Sequence, residues 1–487
     1  MSQTPDIADA PGIPDTSVSA DAPGIPDAES LSPATRSIAV LGAGGDLTER
    51  LLLPGLGQVL DVSRGIRLQI IGAARTPQSD EEWQGLVRRS LEAAEVSPRT
   101  VDALVADARF VPTDASDPEQ LAALLAACEH PPILYVALPP AMGRTVAESL
   151  AAIELPDDLV VAIEKPFGSD LADAQELNAA LTAVIPEDRL WRVDHFLGNA
   201  TVLGMLGLRF GNRLMEAGWS AEHIDKVEIV YDEELGIEGR ATFYDQTGAL
   251  RDMLQSHLLM VLALTAMERP EAVAPDEVHE RMAEVLGAVR LWRDDPSSAR
   301  RARYTEGRVD GRFFPSYVDE PDVEAERGTE TLAQLLLQVD TPRWQGVPFV
   351  LRSGKALGHP RTEVAVHFKA SSAPAGLRTA GGASGDSETV LRMSLEGGDV
   401  DLDLFVNSAD DAGGLERVAL EARPGEPTLG PYAQVLAGIL QNDTLLSVPG
   451  TVAEQCWRIV TPVLTAWAED ATPLEEYEAG SPGPEGW

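Results

Sequence analysis

The stretch Ile38-Ala-Val-Leu-Gly-Ala-Gly-Gly-Asp-Leu47 decides the fold prediction for this chain. A short apolar run ends in a glycine cluster, and a leucine-rich segment with helical character follows it. This order predicts a strand, a turn and a helix N-terminus, where α/β proteins bind a dinucleotide pyrophosphate. The usual G-x-G-x-x-G spacing is absent, so an ordinary glycine-rich turn is the alternative. The residues expected to bind the cofactor here are Gly42, Gly44, Gly45, Asp46 and Leu47.

The segments that follow extend the same pattern. Residues 68–71, 133–136 and 159–163 are continuous apolar runs, and helical segments such as 81–94 lie between them. Continuous apolar strands that alternate with helices indicate a parallel sheet covered on both faces. The sequence therefore predicts an α/β dinucleotide-binding domain over residues 35–198, built on a Rossmann-like, doubly wound parallel sheet.

The strand pattern changes in the second part of the chain. Polar and apolar residues alternate in 362–368 and 399–406, which is typical of strands with one wet face and one buried face. We therefore expect residues 199–487 to form a larger α+β domain with a mainly antiparallel sheet. Residues 371–386 are rich in Gly, Ala and Ser, and this composition predicts a mobile loop.

The N-terminal 34 residues are predicted to be a disordered tail. They are rich in Ala, Asp, Pro and Ser, and they contain no aromatic residue. The segment 8–15 recurs at 20–27, and a short repeat of this kind with prolines cannot build a hydrophobic core. The predicted organisation is therefore a tail over residues 1–34 followed by the two domains.

Composition and charge exclude several classes of protein. The 487 residues include 38 basic and 78 acidic ones, and the net charge of −40 argues against nucleic-acid binding. No run of about 18 apolar residues is present, so we expect no membrane association. The N-terminus lacks the features of a secretory signal. Cys128 and Cys456 are too few for a disulfide framework or a thiolate metal cluster, so we expect a cytoplasmic protein without a metal site.

Two further strand ends bear on the cofactor. Arg75 follows the second apolar strand, at the position where a carboxylate would hold the ribose hydroxyls of NAD. An arginine there suits a 2′-phosphate and predicts NADP, with NAD use and a plain surface arginine as the alternatives. Pro139 begins a Pro-Pro pair after the strand 133–136, and we expect this rigid turn to border the cofactor.

A histidine and a carboxylate are the candidates for proton transfer. Helical periodicity places His257 on an inward stripe with Leu250 and Leu264, which fits either a core histidine or a general base with a buried partner. A basic histidine needs an orienting carboxylate, and Asp194 is the candidate. Lys165 ends an apolar strand and is one of only four lysines, so it is either a residue of the ligand crevice or a solvated turn lysine.

Several motifs together resemble the glucose-6-phosphate dehydrogenase family. They occur in the family's order between about residues 36 and 470, at positions 42–47, 164–168, 192–199, 208–212, 238–240, 251–257 and 351–355. The resemblance implies oxidation of the C1 hydroxyl of glucose 6-phosphate to the 1,5-lactone, a step of the pentose phosphate pathway. It also implies NADP as hydride acceptor, no metal, and a homodimer or homotetramer assembled through the sheet of the second domain.

The resemblance implies roles for individual residues as well. His257 resembles the base that removes the proton of the C1 hydroxyl, and Asp194 resembles its carboxylate partner. Lys165 resembles the lysine that bridges substrate and nicotinamide. His195 resembles a phosphate ligand, and Arg75 resembles the arginine at the 2′-phosphate. The other predicted substrate-binding residues resemble sugar ligands or lie near them: Glu233, Asp252, Lys355 and Arg361.

Two departures from the family pattern concern the substrate phosphate. The family has a tyrosine and a lysine where this chain has Phe196 and Asn199. Charge-assisted bonds to phosphate contribute about 1.5–3 kcal/mol each, so affinity is expected to fall by about two to four orders of magnitude unless Arg192 or Arg209 substitutes. The alternative functions are therefore a paralogue that oxidises a non-phosphorylated or differently substituted aldose, and a non-catalytic regulatory partner.

Overall fold

The computed structural model describes residues 31–63, 65–370, 377–379, 388–411, 413–425 and 427–487. The predicted tail, apart from its last few residues, and most of the predicted loop 371–386 lie outside the described residues. Leu31 is buried in the hydrophobic core, and the first strand begins at Ala34. Regular structure therefore starts one residue before the predicted domain bound at residue 35.

The first part of the chain contains the predicted parallel sheet. Its strands are β1 (Ala34–Leu41), β2 (Ile66–Ala74), β3 (Arg109–Pro112), β4 (Pro132–Val136), β5 (Val160–Glu164) and β6 (Leu190–Val193). Within the described residues they form one six-stranded sheet in the order β3-β2-β1-β4-β5-β6, and every neighbouring pair is parallel. The strand order reverses between β1 and β4, and ligands bind at such a point in doubly wound sheets.

Helices connect these strands and cover the sheet. They are α1 (Leu53–Val62), α2 (Asp80–Ala93), α3 (Pro98–Ala106), α4 (Pro118–Ala126), α5 (Met142–Ala151) and α6 (Leu171–Thr182). Side-chain oxygens of Ser79, Asp117 and Asp170 accept hydrogen bonds from first-turn N–H groups of α2, α4 and α6, which explains where these helices begin. Every residue of β4 is buried, as expected for a strand covered on both faces. The predicted doubly wound sheet is therefore confirmed.

The second part of the chain is larger and mixes helices with strands. Its helices are α7 (Ala200–Phe210), α8 (Arg213–Gly218), α9 (Ala241–Ala249), α10 (Leu259–Ala266), α11 (Pro275–Ala288), α12 (Pro431–Gln441) and α13 (Gly450–Ala468). Its strands are β7 (Ile224–Asp232), β8 (Val289–Leu291), β9 (Ala299–Thr305), β10 (Gly307–Val309), β11 (Arg312–Phe314), β12 (Leu332–Val339), β13 (Phe349–Gly354), β14 (Thr362–Phe368), β15 (Arg378–Thr379), β16 (Val390–Ser394), β17 (Val400–Asn407), β18 (Gly414–Ala422) and β19 (Leu474–Glu478). Between α9 and α10, residues Leu250–Leu258 form a π-type helical segment.

Most of these strands join one large sheet. In the described residues its order is β15-β18-β17-β16-β14-β7-β13-β12-β9-β19, with β8 also paired to β12. The pairs β7–β13, β9–β19 and β15–β18 are parallel, and the others are antiparallel. The prediction of a mainly antiparallel sheet in an α+β region is confirmed. None of the helices in the described part of the chain is long and apolar enough to span a membrane.

The last helices of the chain return to the parallel sheet. Helix α12 packs on α1 and on the 3-10 turn His195–Gly198, and α13 packs on α6. Ser447 Oγ accepts a hydrogen bond of 3.1 Å from the backbone N–H of Arg192, beside the end of β6. One hydrophobic core therefore continues through both parts of the chain. The C-terminal helices follow the large sheet in sequence but pack on helices of the parallel sheet, so the contacts give no clean division of the chain. The domain bounds at 34/35 and 198/199 therefore stay a prediction.

The seam between α12 and α1 gives a test of the fold. Leu436 of α12 is 1% exposed and lies against Gly55 of α1. We expect Leu436→Ala to leave a cavity in this seam and to cost about 2–5 kcal/mol of stability, which lowers the midpoint of thermal unfolding. Leu214→Ala is the control, because Leu214 is 78% exposed on α8 and should shift the midpoint little. Equal effects of both changes would show that α12 does not pack as described.

Candidate active site

The glycine turn lies at the carboxyl end of β1, where the strand order reverses. Gly42 has φ = 93°, and a Cβ there would lie 2.2 Å from the carbonyl oxygen of Ala137, so only glycine fits. The carbonyl oxygen of Gly42 accepts hydrogen bonds from Gly45 N (2.9 Å) and Thr48 Oγ1 (3.0 Å). These bonds close the turn and start the helical segment Thr48–Leu52, which continues into α1.

Gly44 is different, because packing does not require it. A Cβ at Gly44 would meet only Gln78 Nε2 at 3.7 Å, an ordinary contact distance. Gly44 therefore leaves open space where a ligand can approach the backbone and the start of a helix, as a pyrophosphate does. Asp46 is exposed and lies 3.3 Å from Arg50, while Leu47 is half-buried. This turn fits the nicotinamide dinucleotide that the sequence predicts.

The other predicted cofactor residues share this edge of the sheet. Arg75 follows β2 and is exposed, Pro139 follows β4 and is exposed, and Lys165 follows β5. Carboxyl ends of parallel strands meet at one edge, so these three residues lie at the same edge of the sheet as the glycine turn. The predicted set is thus brought together by the topology of the sheet.

His257 lies at the centre of the predicted substrate residues. Its Nδ1 atom is 2.6 Å from Asp194 Oδ1, and its Nε2 atom is 2.6 Å from Lys165 Nζ. The side chains of His257 and Asp194 are 4% and 0% exposed. A carboxylate this close favours the tautomer with the proton on Nδ1, which leaves the lone pair on Nε2. The imidazole is therefore arranged to accept a proton at Nε2, on the side of Lys165.

Local structure holds this pair in place. Asp194 precedes the 3-10 turn His195–Gly198, and its Oδ1 accepts a hydrogen bond of 3.0 Å from Phe196 N. The Phe196 ring stacks on the His257 imidazole, with centroids 4.8 Å apart. Burial alone would raise the pKa of Asp194, but the facing His257, with Lys165 and His195, holds that pKa well below its usual range. Asp194 is therefore ionised throughout the physiological range.

Lys165 joins the strand end to the helical segment that carries His257. Its Nζ donates to the backbone oxygen of Asp252 at 2.8 Å and lies 3.7 Å from the Asp252 carboxylate. Ser256 Oγ is 3.5 Å away from Nζ. The side chains of Lys165 and Asp252 are 19% and 13% exposed, so both border the cleft while His257 lies behind them. Three predicted site residues from two distant segments therefore meet at one point.

A second pair of predicted residues lies on the large sheet. Lys355 follows β13 and donates to Glu233 Oε2 at 2.5 Å, and its side chain is only 4% exposed. Its Nζ also lies 5.4 Å from the centre of the Tyr244 ring. Burial raises the pKa of Tyr244, and the charges of Asp252 and Glu330 add to the rise. Tyr244 therefore lies next to the Lys355 pair, and the sequence did not single it out.

The phosphate end of the predicted site has few cations. His195 lies 5.4 Å from His257 between ring centroids, and partial desolvation together with His257 lowers the pKa of His195 to about 4. Asn199 Nδ2 donates to the backbone oxygen of Phe196 at 3.1 Å. The Phe196 ring meets the Tyr231 ring edge-on at 5.6 Å, and Tyr231 OH donates to Glu396 at 3.1 Å. The side chains around position 196 are therefore aromatic, neutral or acidic.

Neither of the two arginines named as candidates to replace the missing lysine, Arg192 and Arg209, is free to do so. Arg192 is 0% exposed, and its guanidinium donates to Asn178 at 2.9 Å and to Glu187 at 2.7 Å. Arg209 is 2% exposed and donates to the backbone oxygens of Leu264 and Met267. Both guanidinium groups are buried and donate to partners inside the protein, so neither is exposed to a ligand.

Arg361 lies apart from the cluster. Its guanidinium is 3.3 Å from Glu228 of β7 and 3.7 Å from Glu363 of β14, on the face of the large sheet. Its backbone oxygen accepts a hydrogen bond of 2.8 Å from Asp232 N, next to Glu233. The backbone of Arg361 therefore lies next to the site, whereas its guanidinium forms ion pairs with Glu228 and Glu363. Its predicted contact with substrate stays a prediction.

Sequence reasoning missed a buried polar cluster beneath Lys165. Glu164 Oε1 accepts hydrogen bonds from Tyr135 OH at 2.5 Å and Tyr432 OH at 2.6 Å, and the two hydroxyls are 2.6 Å apart. Burial raises the pKa of Glu164, although both phenols oppose that shift. The cluster ties the ends of β4 and β5 to α12, and the Tyr432 ring lies 6.4 Å from the His195 ring. Tyr135 and Glu164 are recognisable as polar strand-end residues, but no local signal marks Tyr432.

A cavity of about 760 Å³ opens beside Lys165 and Asp252. The starts of α5 and α6 form one wall, with Arg144 and Ser169, and α9 forms another, with Phe243. Trp457 of α13 also lines it. The cavity lies between the β4 and β5 strand ends and the helical segment of His257, so it has the position and size for the nicotinamide half of a dinucleotide. Within the described residues, no cluster of three or more His, Cys, Asp or Glu side chains could hold a metal ion.

Comparison with known proteins places both parts of the chain in one family. Residues 39–203 match the model "Glucose-6-phosphate dehydrogenase, NAD binding domain", and residues 206–487 match "Glucose-6-phosphate dehydrogenase, C-terminal domain". A glucose-6-phosphate 1-dehydrogenase of Gluconobacter oxydans (strain 621H) is 38% identical, over 92% of this chain and 94% of that protein. Glucose-6-phosphate 1-dehydrogenase 2 of Mycobacterium bovis is 33% identical, over 92% and 91%.

Solved structures agree with these matches. The crystal structure of glucose-6-phosphate 1-dehydrogenase from Mycobacterium avium is 32% identical, with a TM-score of 0.80 over 93% of this chain and 96% of that one. A glucose-6-phosphate dehydrogenase solved in complex with its substrate glucose-6-phosphate is 27% identical, with a TM-score of 0.82 over 94% and 96%. The fold and the order of elements described above are therefore those of this family.

The contrast between Gly42 and Gly44 gives a test of the cofactor turn. We expect Gly44→Ala to fold normally, because its Cβ meets no close atom. The methyl group should nevertheless obstruct a dinucleotide phosphate and raise the Kd for the nicotinamide dinucleotide by about tenfold or more, since backbone N–H bonds to phosphate are charge-assisted. Fluorescence titration measures the Kd, and the midpoint of thermal unfolding serves as the control. An unchanged Kd would show that the dinucleotide does not approach Gly44.

Proposed function

The chain belongs to the glucose-6-phosphate dehydrogenase family, and from this premise we propose that it oxidises the C1 hydroxyl of glucose 6-phosphate to the 1,5-lactone with NADP. The observation that carries the proposal is the position of His257, with Asp194 and Lys165 each 2.6 Å from one of its ring nitrogens at the carboxyl edge of the parallel sheet. A nicotinamide dinucleotide supplies the hydride acceptor when bound. The chain itself has to bind the sugar, orient it and take up one proton.

His257 is the proposed general base. Its Nε2 removes the proton of the C1 hydroxyl while the hydride leaves C1, so that a C1=O bond forms as the C–H bond breaks. The positive charge that develops on the imidazole is stabilised by Asp194, which is buried and ionised. A carboxylate that stays charged beside Nδ1 also fixes the tautomer and the orientation of the ring, by the same logic as in hydrolase triads. General base catalysis of this kind contributes about 10²–10⁴-fold to a rate.

Lys165 is proposed to orient the reacting groups. Its ammonium faces Nε2, the same atom that is proposed to accept the substrate proton. The C1 hydroxyl has to take that place, so Lys165 turns from Nε2 toward the sugar and the nicotinamide while it keeps its contact with Asp252. The cavity next to Lys165 and Asp252 has room for the nicotinamide. The residues proposed to bind the rest of the sugar are Asp252, Glu233 and Lys355.

The phosphate of the substrate is proposed to bind near His195 with reduced affinity. Phe196 supplies no hydroxyl and Asn199 no positive charge, and the two buried arginines cannot replace them. A phosphate dianion favours the protonated form of His195, whose pKa is lowered in the free protein. Binding of the phosphate dianion is therefore linked to proton uptake by His195. The same features keep an aldose without phosphate as the second candidate substrate.

NADP is the proposed cofactor rather than NAD. Arg75 is exposed at the end of β2, and no carboxylate occupies the position after that strand that would hold the ribose hydroxyls of NAD. The residues proposed to contact the dinucleotide are Gly42, Gly44, Gly45, Asp46, Leu47, Arg75, Pro139 and Lys165. Comparing the rates with NADP and NAD at saturating sugar tests this preference. Arg75→Ala should raise the KM for NADP and leave the KM for NAD unchanged.

Location and assembly are also proposals. We propose a cytoplasmic homodimer or homotetramer, assembled through the face of the large sheet. The family resemblance supports assembly, and the low cysteine content supports a reducing compartment. Light scattering on the purified protein measures the mass directly, and a monomer at micromolar concentration would contradict this proposal.

The base assignment predicts the effect of removing the imidazole. We expect His257→Asn to lower kcat for glucose 6-phosphate by about 10²–10⁴-fold, because no group remains at Nε2 to take the proton. The Kd for NADP should stay within about twofold, since the turn at β1 is untouched. The matched control is His279→Asn. His279 is a half-buried histidine on α11, and its Nε2 lies 3.3 Å from the backbone oxygen of Leu445 rather than near Asp194 or Lys165. A full kcat in His257→Asn would identify His257 as a core residue only.

The phosphate subsite predicts a gain of function. We expect Asn199→Lys to lower KM for glucose 6-phosphate by about tenfold or more, because a cation returns to a subsite with few of them. KM for glucose, measured side by side, should not change. Asn199→Gln controls for side-chain size. If Asn199→Lys leaves both KM values unchanged, another group already holds the phosphate. If the wild-type protein has a lower KM for glucose than for glucose 6-phosphate, the non-phosphorylated sugar is the substrate.

A further inference from the structure

A buried carboxylate contacts the start of the helical segment that carries His257. Glu330 lies just before β12 and is 7% exposed. Its Oε1 accepts a hydrogen bond of 2.9 Å from Leu250 N, the first residue of that segment, and its backbone oxygen accepts one of 3.3 Å from Ala249 N. Side chain and main chain of one residue thus bind two successive N–H groups at this helix start, which otherwise need partners.

The chain makes room for this carboxylate at the preceding position. Gly248 has φ = 68°, and a Cβ there would lie 2.4 Å from Glu330 Oε1. A side chain at position 248 would therefore displace the carboxylate as well as strain the backbone. Burial raises the pKa of Glu330, whereas the Leu250 N–H and the charges of Arg251 and Arg301 oppose the rise. The hydrogen bond to Leu250 is the contact that this buried group makes with the helix.

The residue after Glu330 contacts the other half of the sugar site. The backbone oxygen of Thr331 accepts a hydrogen bond of 2.9 Å from Lys355 N, and the Tyr477 hydroxyl donates to the backbone oxygen of Lys355 at 2.6 Å. The same hydroxyl lies 2.9 Å from Thr331 Oγ1. The dipeptide Glu330-Thr331 is therefore bonded on one side to the helix of Asp252 and His257, and on the other to the strand end of Lys355.

We propose that Glu330 is a positioning residue, which fixes Asp252 and His257 relative to Lys355 so that the base and the sugar ligands face one substrate. The inference rests on the proposed function, because it concerns the same sugar site. Leu250–Leu258 has π-type hydrogen bonds, a rare helical form that occurs mainly at functional sites. An anchor at its first residue sets the rotation of the whole segment, and with it the direction in which Asp252 and His257 project.

Two substitutions of similar length test this role. Glu330→Gln keeps an oxygen that can accept the Leu250 N–H, and Glu330→Met fills the same space without an acceptor. We expect Glu330→Met to raise KM for glucose 6-phosphate and lower kcat, with kcat/KM down by about tenfold or more, because a buried N–H loses its partner. Glu330→Gln should stay within about threefold of wild type. Any rise in the Kd for NADP should be smaller than the rise in KM, since this segment borders only the nicotinamide cavity and the glycine turn is on the other sheet.

A matched control separates positioning from general stability. Asp403 is also buried, and it binds Arg392 and Arg417 on the large sheet. Asp403→Asn should lower the thermal midpoint without changing KM. If Glu330→Met lowers the midpoint alone, with kcat and KM unchanged, the proposal is wrong. If Glu330→Met does not fold, Glu330→Asp, which keeps the charge but withdraws the acceptor from Leu250 N by one methylene, must lower kcat/KM more than Glu330→Gln does. Wild-type protein without glucose 6-phosphate activity would instead overturn the proposed function.

Discussion

The contact between Asp194 and His257 is the interaction on which the rest of the site depends. A fully buried carboxylate is costly unless a positive or hydrogen-bonding partner faces it, and removing one partner of such a pair destabilises a protein by about 3–5 kcal/mol. The two residues come from the end of β6 and from the helical segment before α10, so the contact forms only when the two halves of the chain are docked. Docking and assembly of the base are therefore one event.

The charge of the whole chain gives the cations of the site their importance. With a net charge of −40, the protein repels an anionic sugar and an anionic dinucleotide at long range. Two of its four lysines, Lys165 and Lys355, lie in the site, each beside a carboxylate. An ammonium is a compact charge on a flexible stem, so it can turn from its carboxylate to a ligand more easily than an arginine fork. The two lysines thus attract anionic ligands at short range, although the negative potential of the whole molecule repels them at long range. Salt screens this long-range repulsion.

Local patterns predicted the parts of this structure that depend on local physics. The glycine turn followed from its place after an apolar strand, and the two sheet types followed from continuous and alternating apolar residues. The inward stripe predicted that His257 is buried, although it could not distinguish the π-type segment from an α-helix. The engagement of the Arg192 guanidinium by the backbone oxygen of Val448, and of Tyr432 by Glu164, depends on segments far apart in sequence. Arg361 pairs with Glu228 through strand register, which no local pattern encodes.

The most direct test of this account is a crystal structure of the protein with glucose 6-phosphate bound, in which the distance from His257 Nε2 to the C1 oxygen is measured. We expect a hydrogen-bond distance of about 2.6–3.2 Å, with Asp194 still against Nδ1 and Lys165 Nζ moved away from Nε2. A sugar bound elsewhere, with Lys165 Nζ still on Nε2, would contradict it.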